Sequence, residues 1–103
     1  MAPPELSDEQ RQAALQKAAD VRKVRAEVKQ LLKMGTITFP EFLSRADEDE
    51  VLAGLKVGAV LESLPGNGKV KAKRIMEQNG IAPNRRIRGL GARQREALLA
   101  LFG

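Results

Sequence analysis

The sequence contains no cysteine, histidine, tryptophan or tyrosine. Without thiols or imidazoles there is no disulfide framework, no Cys/His zinc site, no thiol nucleophile and no imidazole acid-base catalyst. Only Lys, Arg, Ser, Thr and carboxylates remain to carry chemistry. Lack of Trp and Tyr also argues against stacking platforms for single-stranded nucleic acid. With only Phe39, Phe42 and Phe102 as aromatics, the core is expected to be aliphatic. No apolar run approaches the roughly 18 residues of a membrane span. The start, Met1-Ala2-Pro3-Pro4-Glu5, lacks the basic flank and apolar stretch of a signal peptide, so a cytoplasmic protein is expected.

What is present is positive charge with an uneven distribution. The 103 residues carry 18 Lys+Arg against 13 Asp+Glu, a net +5. That length suits one small domain. Residues 1–33 hold 7 basic and 5 acidic side chains, residues 34–65 hold 2 and 6, and residues 66–103 hold 9 and 2. A surface built only for solubility intersperses its signs; an acidic middle followed by a strongly basic last third points to one face for a polyanion.

Helix signals dominate and no alternating strand pattern is present. Ser7 followed by Gln10 is a capping-box pattern, and from Asp8 to about Met34 nothing interrupts a helix until Gly35. Val21, Val24, Val28 and Leu31, with Ala14 and Leu32, predict its packed stripe. Such a helix is longer than a domain of this size needs to cover its core, so its beginning is expected to project. Thr38-Phe39-Pro40-Glu41 predicts the start of a short helix that buries Phe39, Phe42 and Leu43. Further helices are predicted at about Lys56 to Leu64, Val70 to Gln78 (ended by Asn79-Gly80) and Ala92 to Phe102. Ile81 to Arg88 reads as a loop or a single helical turn. The expected organisation is an N-terminal helix over 1–35, basic and partly projecting, joined to a unit over 36–103.

The segment from Leu61 to Met76 fits the helix-hairpin-helix pattern of DNA-binding proteins: Leu61 and Leu64, then Gly66 and Gly68, then Ala72, then Ile75 and Met76. Gly66 and Gly68 are expected to let the chain reverse with unusual dihedrals and to leave successive amides open to a phosphate at a helix start. Ala72 lets two helices cross closely. Lys69 and Lys71 supply mobile charge beside the turn. The position between the glycines, normally apolar, is Asn67. A nucleotide-binding P-loop fits poorly, because Gly68-Lys69 is followed by Val70 rather than Ser or Thr.

Beyond it, Gly80-Ile-Ala-Pro-Asn-Arg85-Arg86-Ile-Arg88-Gly-Leu-Gly91 resembles the second turn of helix-two-turns-helix domains, found in one small-subunit ribosomal protein and in formamidopyrimidine-DNA glycosylases. Three motifs in order, Lys-Val-x-Ala-x-Leu-Glu-x-Leu-Pro (56–65), Gly-Lys-Val (68–70) and Arg-Arg-x-Arg-Gly-Leu-Gly (85–91), make the whole chain resemble the actinobacterial integration host factors. The resemblance implies an all-α fold, a long N-terminal helix plus a helix-two-turns-helix domain. It implies a non-enzymatic, monomeric, nucleoid-associated protein that binds double-stranded DNA with little sequence preference. Bending, compaction and support of site-specific recombination, with recombinase complexes as partners, follow from the same likeness. Carried onto this chain, the family's contacts fall at Pro65, Gly66, Gly68, Lys69, Arg85, Arg86 and Arg88, with Asn67 where relatives usually have Val. Independently of the likeness, three arginines within four residues suit two neighbouring phosphates or a narrow minor groove.

On a helical wheel Arg11, Arg22, Arg25, Lys29 and Lys33 fall within about 80° of one another, beside the apolar stripe. Arg11, Arg22, Arg25 and Lys29 are thus a candidate second DNA surface, with an ordinary solvated face as the competing reading. Asp47 to Glu50 is expected to favour a helix start and repel DNA rather than to bind a metal, since four consecutive side chains point apart. The main alternative function is an RNA- or ribosome-associated module; a glycosylase fragment conflicts with the length and the missing zinc ligands.

Overall fold

In the computed structural model, which describes residues 8–103, six helices run in the order α1 (Asp8–Lys33), α2 (Phe39–Glu48), α3 (Glu50–Ala53), α4 (Val57–Ser63), α5 (Lys69–Gln78) and α6 (Ala92–Phe102), with a 3-10 turn at Ile87–Gly89. Among the described residues there is no strand, only an isolated antiparallel bridge between Lys56 and Arg86. The Ser7 half of the expected capping box lies outside the described residues.

Every residue of α1 from Asp8 to Asp20 is exposed, and packing begins only at Val21. The stripe it buries is rotated from the expected one. Val28 and Leu32 are buried and Val21 and Arg25 are half-buried, whereas Val24 and Ala14 face solvent. The buried centre therefore lies about 30° closer to the basic side than the apolar spacing indicates. The cause is Arg25, whose Nε donates to the Val51 carbonyl of α3 at 3.0 Å. An arginine stem can take an apolar place when its head finds a carbonyl.

Thr38 caps α2 as its sequence predicts: its Oγ1 accepts from the Glu41 amide at 3.3 Å and the Glu41 carboxylate accepts from the Thr38 amide at 3.4 Å. That start aims Phe39, Phe42 and Leu43 inward, all 1 % exposed or less. Apart from these two rings the buried core is aliphatic, as expected. Phe39 stacks on Phe42 with ring centroids 6.5 Å apart and meets the edge of Phe102 at 5.8 Å, closing α6 onto α2. Aliphatic side chains fill the rest, among them Leu32, Val57, Val60, Leu61 and Leu98. Truncating Phe42 to Ala at such a site costs about 3–5 kcal/mol, a large part of a small domain's stability.

Between α2 and α4 the acidic run separates in space. Asp49 caps α3, accepting from the Val51 amide at 2.9 Å, while Asp47 turns to α6. α4 packs against both α1 and α5, which makes it the central strut of the domain. After α5, Gly80 at φ +65° lets the Ile81 amide return to the Met76 carbonyl at 2.9 Å, the left-handed cap that Asn79-Gly80 predicts.

Candidate nucleic-acid interface

The first turn joins α4 to α5 at Pro65–Gly68. Leu61, Leu64, Ala72, Ile75 and Met76 are all buried, and Ala72 is 1 % exposed, so the close helix crossing is present as the pattern predicts. Gly66 takes φ +76°, a left-handed value that glycine permits. Gly68 does not share it. Its φ of −107° and ψ of −179° are ordinary extended backbone, and a Cβ placed there meets nothing within 4 Å. The expectation of unusual dihedrals at both glycines therefore holds for Gly66 alone. At Gly68 neither conformation nor packing requires a glycine; what it leaves open is the approach to the start of α5.

No side chain caps that start. The first bond back to the cap is from the Ala72 amide to the Gly68 carbonyl at 2.9 Å, so the amides of the opening turn have no helical partner. Lys69 and Lys71 stand exposed beside them. Asn67 has a structural use: its Nδ2 donates to the Leu61 carbonyl at 3.0 Å and its own amide to the Leu64 carbonyl at 3.0 Å. A polar side chain thus closes the end of α4 where an apolar one would close the turn by packing.

The second turn is fastened to the start of α4. The Val57 amide donates to the Arg85 carbonyl and the Ile87 amide to the Leu55 carbonyl, both at 2.9 Å. Ile87 is buried between the arginines and anchors the loop. The three arginines, equivalent in sequence, differ in space. Arg85 is half-buried and folds back, its guanidinium donating to Gly89 O at 2.6 Å. Arg86 reaches the Gly54 carbonyl at the end of α3. Arg88 is exposed and makes no side-chain hydrogen bond or ion pair among the described residues. The two turns sit at opposite ends of α4, whose seven residues span about 10 Å.

The structure also brings part of the α1 surface to the second turn. Arg22, Arg25 and Lys29 line one depression of about 370 Å³ with Lys56, Arg86 and Gly54. Arg25, however, is committed to Val51 and is a strut between α1 and α3 as much as a surface cation. Arg11 lies about 16 Å further out along the exposed part of the helix. Lys56 is a member that sequence reasoning missed. As a lone cation in an acidic stretch it carries no local signal, and only the bridge to Arg86 gives it neighbours of like charge.

Opposite in charge, Asp47 and Arg95 form a two-bond pair at 2.9 and 2.7 Å that ties α2 to α6. Hydrogen bonding to the guanidinium holds the Asp47 carboxyl below its ordinary range and raises Arg95, each shift opposed by slight desolvation. Among the described residues no acidic group turns onto either basic turn through a salt bridge.

Two helices crossed over a glycine turn, then a second turn pinned to the first helix and a closing helix, define a helix-two-turns-helix protein. The family model of the S13-like H2TH domain matches residues 32–102. Over 103 residues the chain is 57 % identical to the integration host factor of Mycobacterium tuberculosis, covering 100 % of this chain and 98 % of that one. Identity is also 57 % to that of Mycolicibacterium smegmatis, with 99 % and 97 % covered, and 52 % to that of Streptomyces coelicolor, with 100 % and 96 % covered. A solved structure of sIHF bound to an 8-bp palindromic DNA matches with a TM-score of 0.82 at 49 % identity, covering 85 % of this chain and 99 % of that one. The chain belongs to the integration host factor family of mycobacteria and streptomycetes.

Proposed function

We propose that this protein is an architectural DNA-binding protein that grips the backbone of duplex DNA through its two turns, with little sequence preference and without catalysis. The observation that carries this reading is the pair of exposed basic turns held about 10 Å apart by α4. One offers uncapped amides with Lys69 and Lys71, the other Arg85, Arg86 and Arg88, and a single phosphate cannot occupy both. The DNA-bound relative supports it. Pro65, Gly66, Asn67 and Gly68 shape the first contact rather than supply charge. Contacts to phosphates fix position without reading bases, which suits binding to any sequence.

Neutralising phosphates on one side of a duplex favours bending towards the protein, at an elastic cost of about 1–6 kcal/mol that additional contacts offset. We assign compaction of the nucleoid and support of site-specific recombination complexes to that bending, by a monomer in the cytoplasm. The domain over 36–103 and the inner half of α1 act as one body, and the exposed outer half projects as an arm. Arg11, Arg22 and Lys29 on this arm and its base form a second surface for DNA, with Arg25 holding the base in place.

A salt series on short duplexes of unrelated sequence tests the main reading. Five cations at the two turns predict a log-log slope of about −4.5 and affinities within a few-fold across sequences. A slope near zero, or a strong preference for one sequence, would contradict it. Replacing Arg11, Arg22 and Lys29 by Ala should abolish capture of a second labelled duplex while one-duplex affinity falls far less, Arg22 and Lys29 also bordering Arg86. A parallel fall in both would make the arm an extension of the first surface.

A further inference from the structure

Charge does not account for every exposed group near the first turn. Val70, the second residue of α5, is 74 % exposed, and Leu101, near the end of α6, is 57 % exposed. Both line one open depression of about 540 Å³, together with Gly68, Lys71, Arg74 and Gln78. The lining holds two cations, one amide, an apolar wall and no carboxylate. Val70 is not core that failed to pack: α5 buries Ala72, Ile75 and Met76, and Val70 lies off that face.

A nucleotide backbone unit has matching anatomy. Its phosphate suits Lys71 and Arg74, and the sugar attached to that phosphate suits the apolar wall beside them. Deoxyribose presents a methylene at C2′, which loses nothing against a valine. Ribose presents a hydroxyl there, the group by which proteins tell RNA from DNA. Pressed against Val70 and Leu101, that hydroxyl exchanges water for no partner, because neither side chain can donate or accept a hydrogen bond.

We propose that Val70 and Leu101 form a sugar-contacting wall that makes the first turn favour deoxyribose over ribose. The proposal rests on the reading that this turn holds a nucleic-acid backbone, and it assigns discrimination between nucleic acids to residues that carry no charge. An unpartnered hydroxyl at one such contact corresponds to roughly tenfold in affinity.

Competition between a DNA duplex and an RNA duplex of the same sequence tests it, measured on the full chain and on Val70→Thr. Thr has nearly the shape of Val and adds a group able to bond the 2′-hydroxyl; at an exposed position it leaves the fold intact, which the melting temperature checks. The difference between A-form and B-form shape is common to both proteins and cancels in the comparison. The expected result is a DNA-over-RNA preference about tenfold narrower in Val70→Thr. An unchanged preference, including equal losses on both duplexes, overturns the wall while leaving the DNA-binding reading intact. Failure of the unsubstituted protein to bind the DNA duplex overturns that reading itself, and the wall with it.

Discussion

Arg86 and Arg88 stand two residues apart in one basic motif, and replacing each by Ala should have different consequences. The Arg86 guanidinium bonds the carbonyl of Gly54, 32 residues away, and so ties the second turn to the end of α3. A partly exposed hydrogen bond to a charged donor is worth about 1 kcal/mol net. For a domain of this size, about 1 kcal/mol lowers the melting temperature by about 4–8 °C. Arg88 is exposed and has no such bond among the described residues, so Arg88→Ala should shift the melting temperature by less than half as much. On duplex DNA both variants should weaken binding to all sequences about equally and make the salt slope shallower by about 0.9, the signature of one fewer phosphate neutralised. Thermal unfolding followed by circular dichroism, beside a salt titration of affinity, separates the two roles. Equal melting temperatures in the two variants would refute the claim that Arg86 is a tie as well as a DNA ligand. An unchanged slope in Arg88→Ala would remove it from the interface.

The glycines of the first turn should also separate. Gly66→Ala forces a side chain into φ +76° and should cost about 1 kcal/mol of stability, whereas Gly68→Ala meets neither strain nor a neighbour and should change stability by less than about 0.5 kcal/mol while weakening DNA binding. A Gly68→Ala protein with full affinity would show that the open approach is unused. Acid titration probes the α2–α6 tie. Because Asp47 is held below its ordinary range by Arg95, the pair adds stability above the unfolded carboxylate pKa of about 3.9 and loses it as pH falls through the lower folded value. The melting-temperature gap between the native chain and Asp47→Asn should therefore be full at pH 6 and close towards pH 2; a constant gap would contradict the pair's role.

Much of the fold was legible in short-range signals. Thr38 and Glu41 announce α2 by a reciprocal cap three residues apart, and Gly80 ends α5 within one turn of the residues it follows. The paired α4 and α5 follow from the spacing of Leu61, Leu64, Ala72, Ile75 and Met76 about one glycine turn. Such features need only neighbours along the chain, and the family motifs at 56–65, 68–70 and 85–91 are of the same kind. Of the short α3 only the start is signalled, by the acidic run from Asp47 to Glu50; four residues, Glu50–Ala53, are too few to show a helical period. The rotation of the α1 stripe is not signalled, because Arg25 is charged in composition but takes its place by bonding Val51, 26 residues away.

Local signals therefore specify the longer helices, the glycine turn, the polarity of charge and the family to which the chain belongs. Packing settles what each cation is free to do. Arg88, Lys69 and Lys71 face solvent uncommitted, whereas Arg25, Arg85 and Arg86 each give a donor to a backbone carbonyl. It also decides that Lys56 joins Arg22 and Lys29 beside the second turn, that Asn67 closes α4, and that Val70 and Leu101 line one depression from two helices. The physical reason is one of range. Caps, periods and turns are written in neighbouring residues, but a guanidinium chooses among the carbonyls within its reach, and those are known only once the helices have packed.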